Sequence, residues 1–266
     1  MKPRRAYVDL PHGQVHYAEC GERGAPAVLL LHQTPRSWAE YREVLPLLGA
    51  RYRAIAMDTP GFGASDPPAA VPSIEAWAAI AAQLLEALGI ARVHVVGHHT
   101  GGVIAIELAA RYGQRVRSLV LSSTPYTDEP FRRARAGQPP IDAVEASGDG
   151  AHLAQLWRKR QGFYPAGRPE LLHAFVLDAL KVGGDVEAGH RAVASYRMED
   201  RIAVVQQPVL VLRATDDPFA APHAVHWRQV LPRARFVDIP GGMVPLPDQL
   251  PEAFAAAVLP FLDAQA

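Results

Sequence analysis

Val93-His94-Val95-Val96-Gly97-His98-His99-Thr100-Gly101-Gly102 is the stretch that decides the fold. An apolar, β-branched run stops at Gly97 and a helical pattern starts at Val103. The segment therefore reads as strand, sharp turn, helix. The turn itself is G-x-H-x-G. Glycines flank it because no Cβ fits beside a turn that lifts one side chain above the end of a parallel sheet. The side chain lifted here is His99.

Working outward, the same rhythm repeats. Upstream, Ser73 caps a helix that carries Ile74, Trp77, Ile80, Ala81, Leu84, Leu85 and Leu88 on one face and stops at Gly89. Before it, Arg53 to Met57 and Ala27 to Leu31 are apolar runs of strand length, the kind covered on both faces. A short helix is expected from Tyr41 to Leu48. Pro11-His12-Gly13 separates two strand-like pieces, Tyr7 to Leu10 and Gln14 to Glu19, which read as an opening hairpin. Downstream, a helix from about Gly102 to Tyr112 precedes a strand from Val116 to Leu121. Strand alternating with helix predicts an α/β fold with a mostly parallel sheet and right-handed crossovers.

From Pro125 to Gln207 the rhythm breaks into Arg-rich, Pro/Gly-punctuated segments around helices at Gly150 to Arg160, Pro169 to Val182 and Val186 to Tyr196. Strands at Pro208 to Leu212 and Ala234 to Ile239 then resume, and a helix from Pro251 closes the chain. The expected division is a core of residues 1–124 and 208–266 with a helical cap inserted at 125–207.

Composition narrows the function classes. The chain has 266 residues, enough for one large domain with an insertion, and 49% are apolar. Its 27 basic and 27 acidic residues balance, which argues against a nucleic-acid or anionic-membrane partner. Cys20 is the single cysteine, so no internal disulfide forms, and a reducing compartment is expected. Met1 to Arg5 is not followed by an apolar signal segment, and the longest wholly apolar run, Ala27 to Leu31, is too short to span a membrane. The expectation is a cytoplasmic protein, monomeric or homodimeric, acting on a small molecule.

The ordered segments LLLHQTP (29–35), AMDTPGFGASD (56–66), GHHTGG (97–102), VLVLRATDDPF (209–219) and IPGGMVPLPDQLPEAFAAAVLPFL (239–262) resemble those of the α/β-hydrolase superfamily. The resemblance implies a nucleophile elbow at 97–101, an oxyanion-hole segment at 32–35 and an acid at Asp217, with Asp216 as its rival. It also implies that His98 serves packing. Two triad members differ: the nucleophile position holds His99, and the position of the usual histidine holds Met243. Serine-based acyl transfer and an aspartate nucleophile are both excluded. Gln33 stands where the oxyanion segment usually has glycine, so its side chain is expected to reach the pocket.

An imidazole at position 99 extends ~2 Å further from the backbone than a serine hydroxyl. Met243, flexible and about as large as the lost histidine, is expected to fill the vacated space. The sequence thus predicts a His99–Asp217 dyad, direct or through one water, acting as a general base without metal or organic cofactor. Backbone N–H groups of Thr34 and Thr100 are the expected oxyanion donors, aided by the positive end of the helix behind them. His32, Gln33, Arg36, Trp38, His98, Tyr126, Trp157 and Met243 are the expected pocket residues. In LWRKRQGFYP (156–165), Arg158 or Arg160 either approaches an anionic substrate group or lies on a solvated face. A metal held by His32, His98, His99 and Asp217 is disfavoured, because adjacent elbow histidines do not face one ion. His223 and His226 are expected to face outward. Hydrolysis of an ester, lactone or C–C bond leads the functional readings. Lyase chemistry, cofactor-free oxygenation, or a relic elbow in a protein that only binds stay open at this point.

Overall fold

The computed structural model describes residues 1–68, 70–182 and 184–265. Its sheet has eight strands: β1 (Arg4–Leu10), β2 (Gly13–Cys20), β3 (Ala27–Leu31), β4 (Arg53–Met57), β5 (Val93–His98), β6 (Val116–Ser122), β7 (Val209–Ala214) and β8 (Arg235–Ile239). They lie in the order β1-β2-β4-β3-β5-β6-β7-β8. The β1–β2 and β2–β4 pairs are antiparallel. Every other neighbouring pair is parallel. The expected α/β-hydrolase architecture, a mostly parallel sheet flanked by helices, is the architecture found.

The helices are α1 (Val44–Gly49), α2 (Ile74–Ala87), α3 (Thr100–Arg111), α4 (Glu129–Arg135), α5 (Ala151–Gln161), α6 (Pro169–Lys181), α7 (Ala188–Ser195), α8 (Glu199–Ile202), α9 (Ala224–Val230), α10 (Leu246–Gln249) and α11 (Pro251–Asp263). Strand alternation feeds two cores. Leu29 and Leu31 of β3 pack with Trp77 and Leu84 of α2 and Ile104 of α3. Val28 and Leu30 face the other way, onto Leu45 of α1 and Phe254 and Val258 of α11. This is why β3 reads as one unbroken apolar run.

Local chemistry sets the boundaries. Ser73 caps α2 by accepting from the Ala76 N–H at 3.1 Å, and Gly89 follows the helix at φ +67°. The helix expected from Tyr41 to Leu48 is instead a 3-10 turn at Trp38–Tyr41 and then α1. Ser37 caps that tight turn through the Ala39 N–H.

Between β6 and β7 the described residues form the five helices α4–α8 and no strand. The helices α4 and α8 were not expected. A signal for α4 is present in Asp128-Glu129-Pro130: the Asp128 carboxylate accepts from the Phe131 N–H at 2.9 Å, and proline sits in the first turn. Glu107, fully buried on α3, anchors this segment by accepting from the Tyr196 hydroxyl at 2.8 Å and Arg201 Nη2 at 3.1 Å. No helix among the described residues is long and apolar enough to cross a membrane.

Candidate active site

The turn after β5 holds His99 at φ 47° and ψ −114°, a conformation that L-residues rarely adopt and that costs of order 1–3 kcal/mol. Its neighbours explain how the turn persists. A Cβ on Gly97 would lie 2.3 Å from the Gly101 carbonyl oxygen, and one on Gly101 would lie 1.9 Å from that of Leu31. The His99 N–H donates to Ser122 O at 3.0 Å, and its carbonyl accepts from Gly102 at 2.9 Å. The imidazole therefore rises at the end of the sheet.

There His99 Nε2 lies 2.6 Å from Asp217 Oδ2. Asp217 is fully buried on the turn after β7, and its Oδ1 accepts from the N–H groups of Phe219 (2.9 Å) and Ala220 (3.3 Å). Burial raises the Asp217 pKa, but the opposing effects of His99, His98 and the Phe219 N–H outweigh it and leave it below the usual value. An ionised carboxylate only accepts, so the proton of the shared hydrogen bond belongs to Nε2. Nδ1 of His99 has no partner among the described residues. Asp216, by contrast, is exposed and accepts from the Thr215 hydroxyl.

His99 faces a cavity of about 170 Å³. Its floor holds Gln33, Thr34, Thr100 and Val244, and Phe219 adds an apolar wall. The Thr34 and Thr100 hydroxyls are 3.0 Å apart. Thr100 opens α3, so its N–H has no intrahelical acceptor. The roof comes from the segment between β6 and β7: Phe131 and Arg135 of α4, Ile141, Arg160 of α5, and His190 and Val193 of α7. Gly189 lets α7 come close, since a Cβ there would sit 2.2 Å from Thr34 Oγ1.

Most residues expected in the pocket lie elsewhere. Among the expected pocket side chains Gln33 reaches the lining, yet its amide turns inward to Glu40 (2.5 Å) and Val244 O (3.3 Å). His32 is buried as a neutral imidazole, donating from Nδ1 to Gln33 O and accepting the Thr59 N–H at Nε2. Burial lowers its pKa. His98 likewise sits behind the site, donating from Nε2 to Val244 O (2.8 Å) and accepting from the Ser122 hydroxyl (2.9 Å). Burial, then the neighbouring His99, pushes its pKa down to about 3.

Arg36 is not in the pocket because it is the hub of a buried ion cluster. Its Nε donates to Asp178 of α6 at 3.0 Å and its Nη2 to Asp248 of α10 at 2.7 Å, while Glu40 lies 3.8 Å from Nη1. Burial raises the Glu40 carboxyl to about 7 against the pull of Arg36. Trp38 lies under the Arg42 guanidinium and near His16. Tyr126 stacks on His226 and meets Trp227 edge-on, and Trp157 packs on the small core of α5 and α6. Met243 is half-buried with its N–H held by Gln249; its successor Val244, rather than Met243, lines the cavity. His226 is exposed, whereas His223 is half-buried against Phe131.

Sequence reasoning named Arg160, which lines the cavity, but missed its partners in the roof, Asp142 and His190. Asp142, buried, takes two hydrogen bonds from Arg160 (2.6 and 2.5 Å) and one from His190 Nε2 (2.7 Å). Burial opposes its ionisation, but His190 and Arg160 hold its pKa far below the usual range. Asp142, Glu187 and His190 converge closely enough to suggest a cation site. However, Arg160 already neutralises Asp142, and Glu187 is engaged by the N–H groups of Ile141, Asp142 and Ala143. The donor set does not fit a metal. Arg158, the alternative to Arg160, is exposed.

The sequence is 36% identical to mouse epoxide hydrolase 4 over 113 residues, 42% of this chain and 32% of that protein. It is 38% identical over 113 residues to a 2-hydroxy-6-oxononadienedioate/2-hydroxy-6-oxononatrienedioate hydrolase of Dechloromonas aromatica, covering 41% of this chain and 39% of the relative. The matched segments thus span about a third of the length of these curated relatives. The crystal structure of an enol-lactonase from Burkholderia xenovorans superposes with a TM-score of 0.81 at 21% identity, over 97% of this chain and 100% of that one. A family model for the alpha/beta hydrolase fold matches residues 26–244. That span carries every strand from β3 to β8, and the chain belongs to the alpha/beta hydrolase fold family.

Proposed function

We propose that this protein is a hydrolase of small molecules in which His99, oriented by Asp217, is a general base that activates water. The observation that carries the reading is the 2.6 Å contact between His99 Nε2 and Asp217, with the imidazole lining a cavity. Hydrolase names among the relatives support it.

In this reading Asp217 holds the proton on Nε2, and the Nδ1 lone pair takes a proton from water as its oxygen attacks a carbonyl carbon. The resulting oxyanion is met by the Thr34 and Thr100 N–H groups and the positive end of α3. As the bond to the leaving group breaks, the proton on Nδ1 passes to that group. Asp217 remains a carboxylate throughout, as the serine-protease aspartate does. Residues 125–207 act as a cap that closes the cavity from above, and Met243 needs no catalytic part. Esters, lactones and C–C bonds next to a carbonyl all suit this sequence of proton transfers.

The test is turnover of a panel of aryl esters, lactones and vinylogous diketones by wild type and His99→Ala, with circular dichroism melts of both. Turnover lost in a folded variant supports the reading. Turnover retained at the wild-type rate moves the base elsewhere and refutes it.

A further inference from the structure

The cavity has an uneven charge that the reaction above does not use. Arg135, Arg160, His99 and His190 line it, and no aspartate or glutamate does among the described residues. The two carboxylates just behind it, Asp217 and Asp142, are each committed to a histidine, and Asp142 also to Arg160. Arg160 spends Nε and Nη2 on Asp142, which leaves Nη1 without a partner among the described residues. His190 gives Nε2 to the same carboxylate and keeps Nδ1 unengaged. Arg135, half-buried at the end of α4, has a guanidinium with no ion-pair or hydrogen-bond partner among the described residues. Arg135 and His190 also line a second recess that opens beside the first, so they stand on the wall between the two.

We propose that the roof of this cavity is a carboxylate subsite, and that the substrate is an anionic molecule whose carboxylate is held by Arg135 and Arg160. The proposal rests on the reading of the cavity as the substrate site. Asp142 fixes one of the two donors: it orients the Arg160 fork while cancelling its positive charge, so an arriving anion meets an aimed N–H group at Nη1. Arg135 supplies the uncompensated charge. Phe131, Phe219, Val193 and Ile141 then enclose the apolar body between the anion and His99. Such a substrate is bound at one end by charge and cleaved at the other, which fixes the distance between its carboxylate and its reacting carbonyl. Arg135 and Arg160 are specificity residues in this scheme, and Asp142 is a positioning residue.

The test measures binding apart from turnover. Equilibrium titration with 3-phenylpropanoate and with its uncharged primary amide is run on the full-length wild type, on Arg135→Met and on Asp142→Asn. The expected result is that wild type prefers the carboxylate by about tenfold or more, the scale of a charge-assisted contact. In Arg135→Met the preference collapses while the melting temperature holds, because Arg135 anchors nothing else. Asp142→Asn is expected to weaken carboxylate binding less than Arg135→Met does. Equal affinity for acid and amide, no binding of either at millimolar concentration, or a preference that survives Arg135→Met overturns the proposal. Carboxylate selectivity in a protein that hydrolyses nothing would sink the hydrolase reading and leave the subsite standing. Turnover confined to uncharged esters would do the reverse.

Discussion

His98 offers a quantitative check on the architecture behind the site. It is fully buried, donating from Nε2 to Val244 O and accepting from Ser122 at Nδ1, an arrangement that only a neutral imidazole can make. Burial and the adjacent His99 depress its pKa from 6.5 to about 3. The unfolded chain therefore binds a proton here between pH 6.5 and 3 that the folded chain refuses. Stability is unaffected above 6.5 and falls as pH drops through this window. At 1.36 kcal/mol per pH unit, the loss is about 2 kcal/mol at pH 5 and about 4–5 kcal/mol by pH 3. His98→Gln removes that titration. At pH 7.5 the variant should be less stable by about 1–3 kcal/mol, the cost of an imperfect hydrogen-bonded replacement. At pH 5 the deficit should shrink by about 2 kcal/mol, bringing the variant to within about 1 kcal/mol of wild type. His32 and His94, whose pKa values burial also lowers, are common to both proteins and cancel in the difference. Urea unfolding of the pair at pH 7.5, 6 and 5 measures this. A deficit that stays constant across the three pH values would refute the neutral, doubly bonded His98.

Other perturbations probe separate elements. Gly101→Ala places a methyl 1.9 Å from the Leu31 carbonyl, a backbone atom that cannot swing aside, so a loss of about 3 kcal/mol or more is expected in denaturant melts. Tyr196→Phe removes the hydroxyl from buried Glu107 but leaves Arg201 in place, and should cost about 1–2 kcal/mol with turnover kept. Asp217→Asn should cut kcat by about a thousandfold or more, because an amide can hold the imidazole in the wrong tautomer; steady-state kinetics on any substrate found with the panel checks it. Arg36→Met should destabilise by about 3–5 kcal/mol at pH 7.5, through buried carboxylates left unpaired, and by less at pH 5, where Glu40 is protonated.

The sheet was legible because its strands advertise themselves. Leu29 and Leu31 face one core and Val28 and Leu30 the other, so β3 is apolar at every position. The pairing of residues 99 and 217 could be anticipated from the order of motifs alone, since both sit on turns that follow strands. The roof could not. Asp142 and His190 are 48 residues apart in a stretch whose described residues form no strand, and nothing periodic relates them. Arg36 departs from expectation for a related reason. It follows a cavity-lining turn, but a long side chain reports where its tip ends up, and its tip is buried between Asp178 and Asp248. Trp38, Tyr126 and Trp157 carry chemistry that is common in pockets, yet each has its partner elsewhere in the protein. Met243 misled by position: a shift of one residue gives the cavity wall to Val244.

The Arg36 hub bears on how this protein can be re-engineered and how it has been free to vary. One guanidinium, with no exposed surface, joins the turn after β3, a helix of the segment between β6 and β7, and the short helix before the C-terminal one. That segment is consequently not an interchangeable module. A transplanted roof from a relative would have to bring an acid to the place of Asp178, or else the recipient would need a neutral residue at 36 and at 248 together. Chimeras that respect this three-way match should express as folded protein, and those that exchange the helices alone should not.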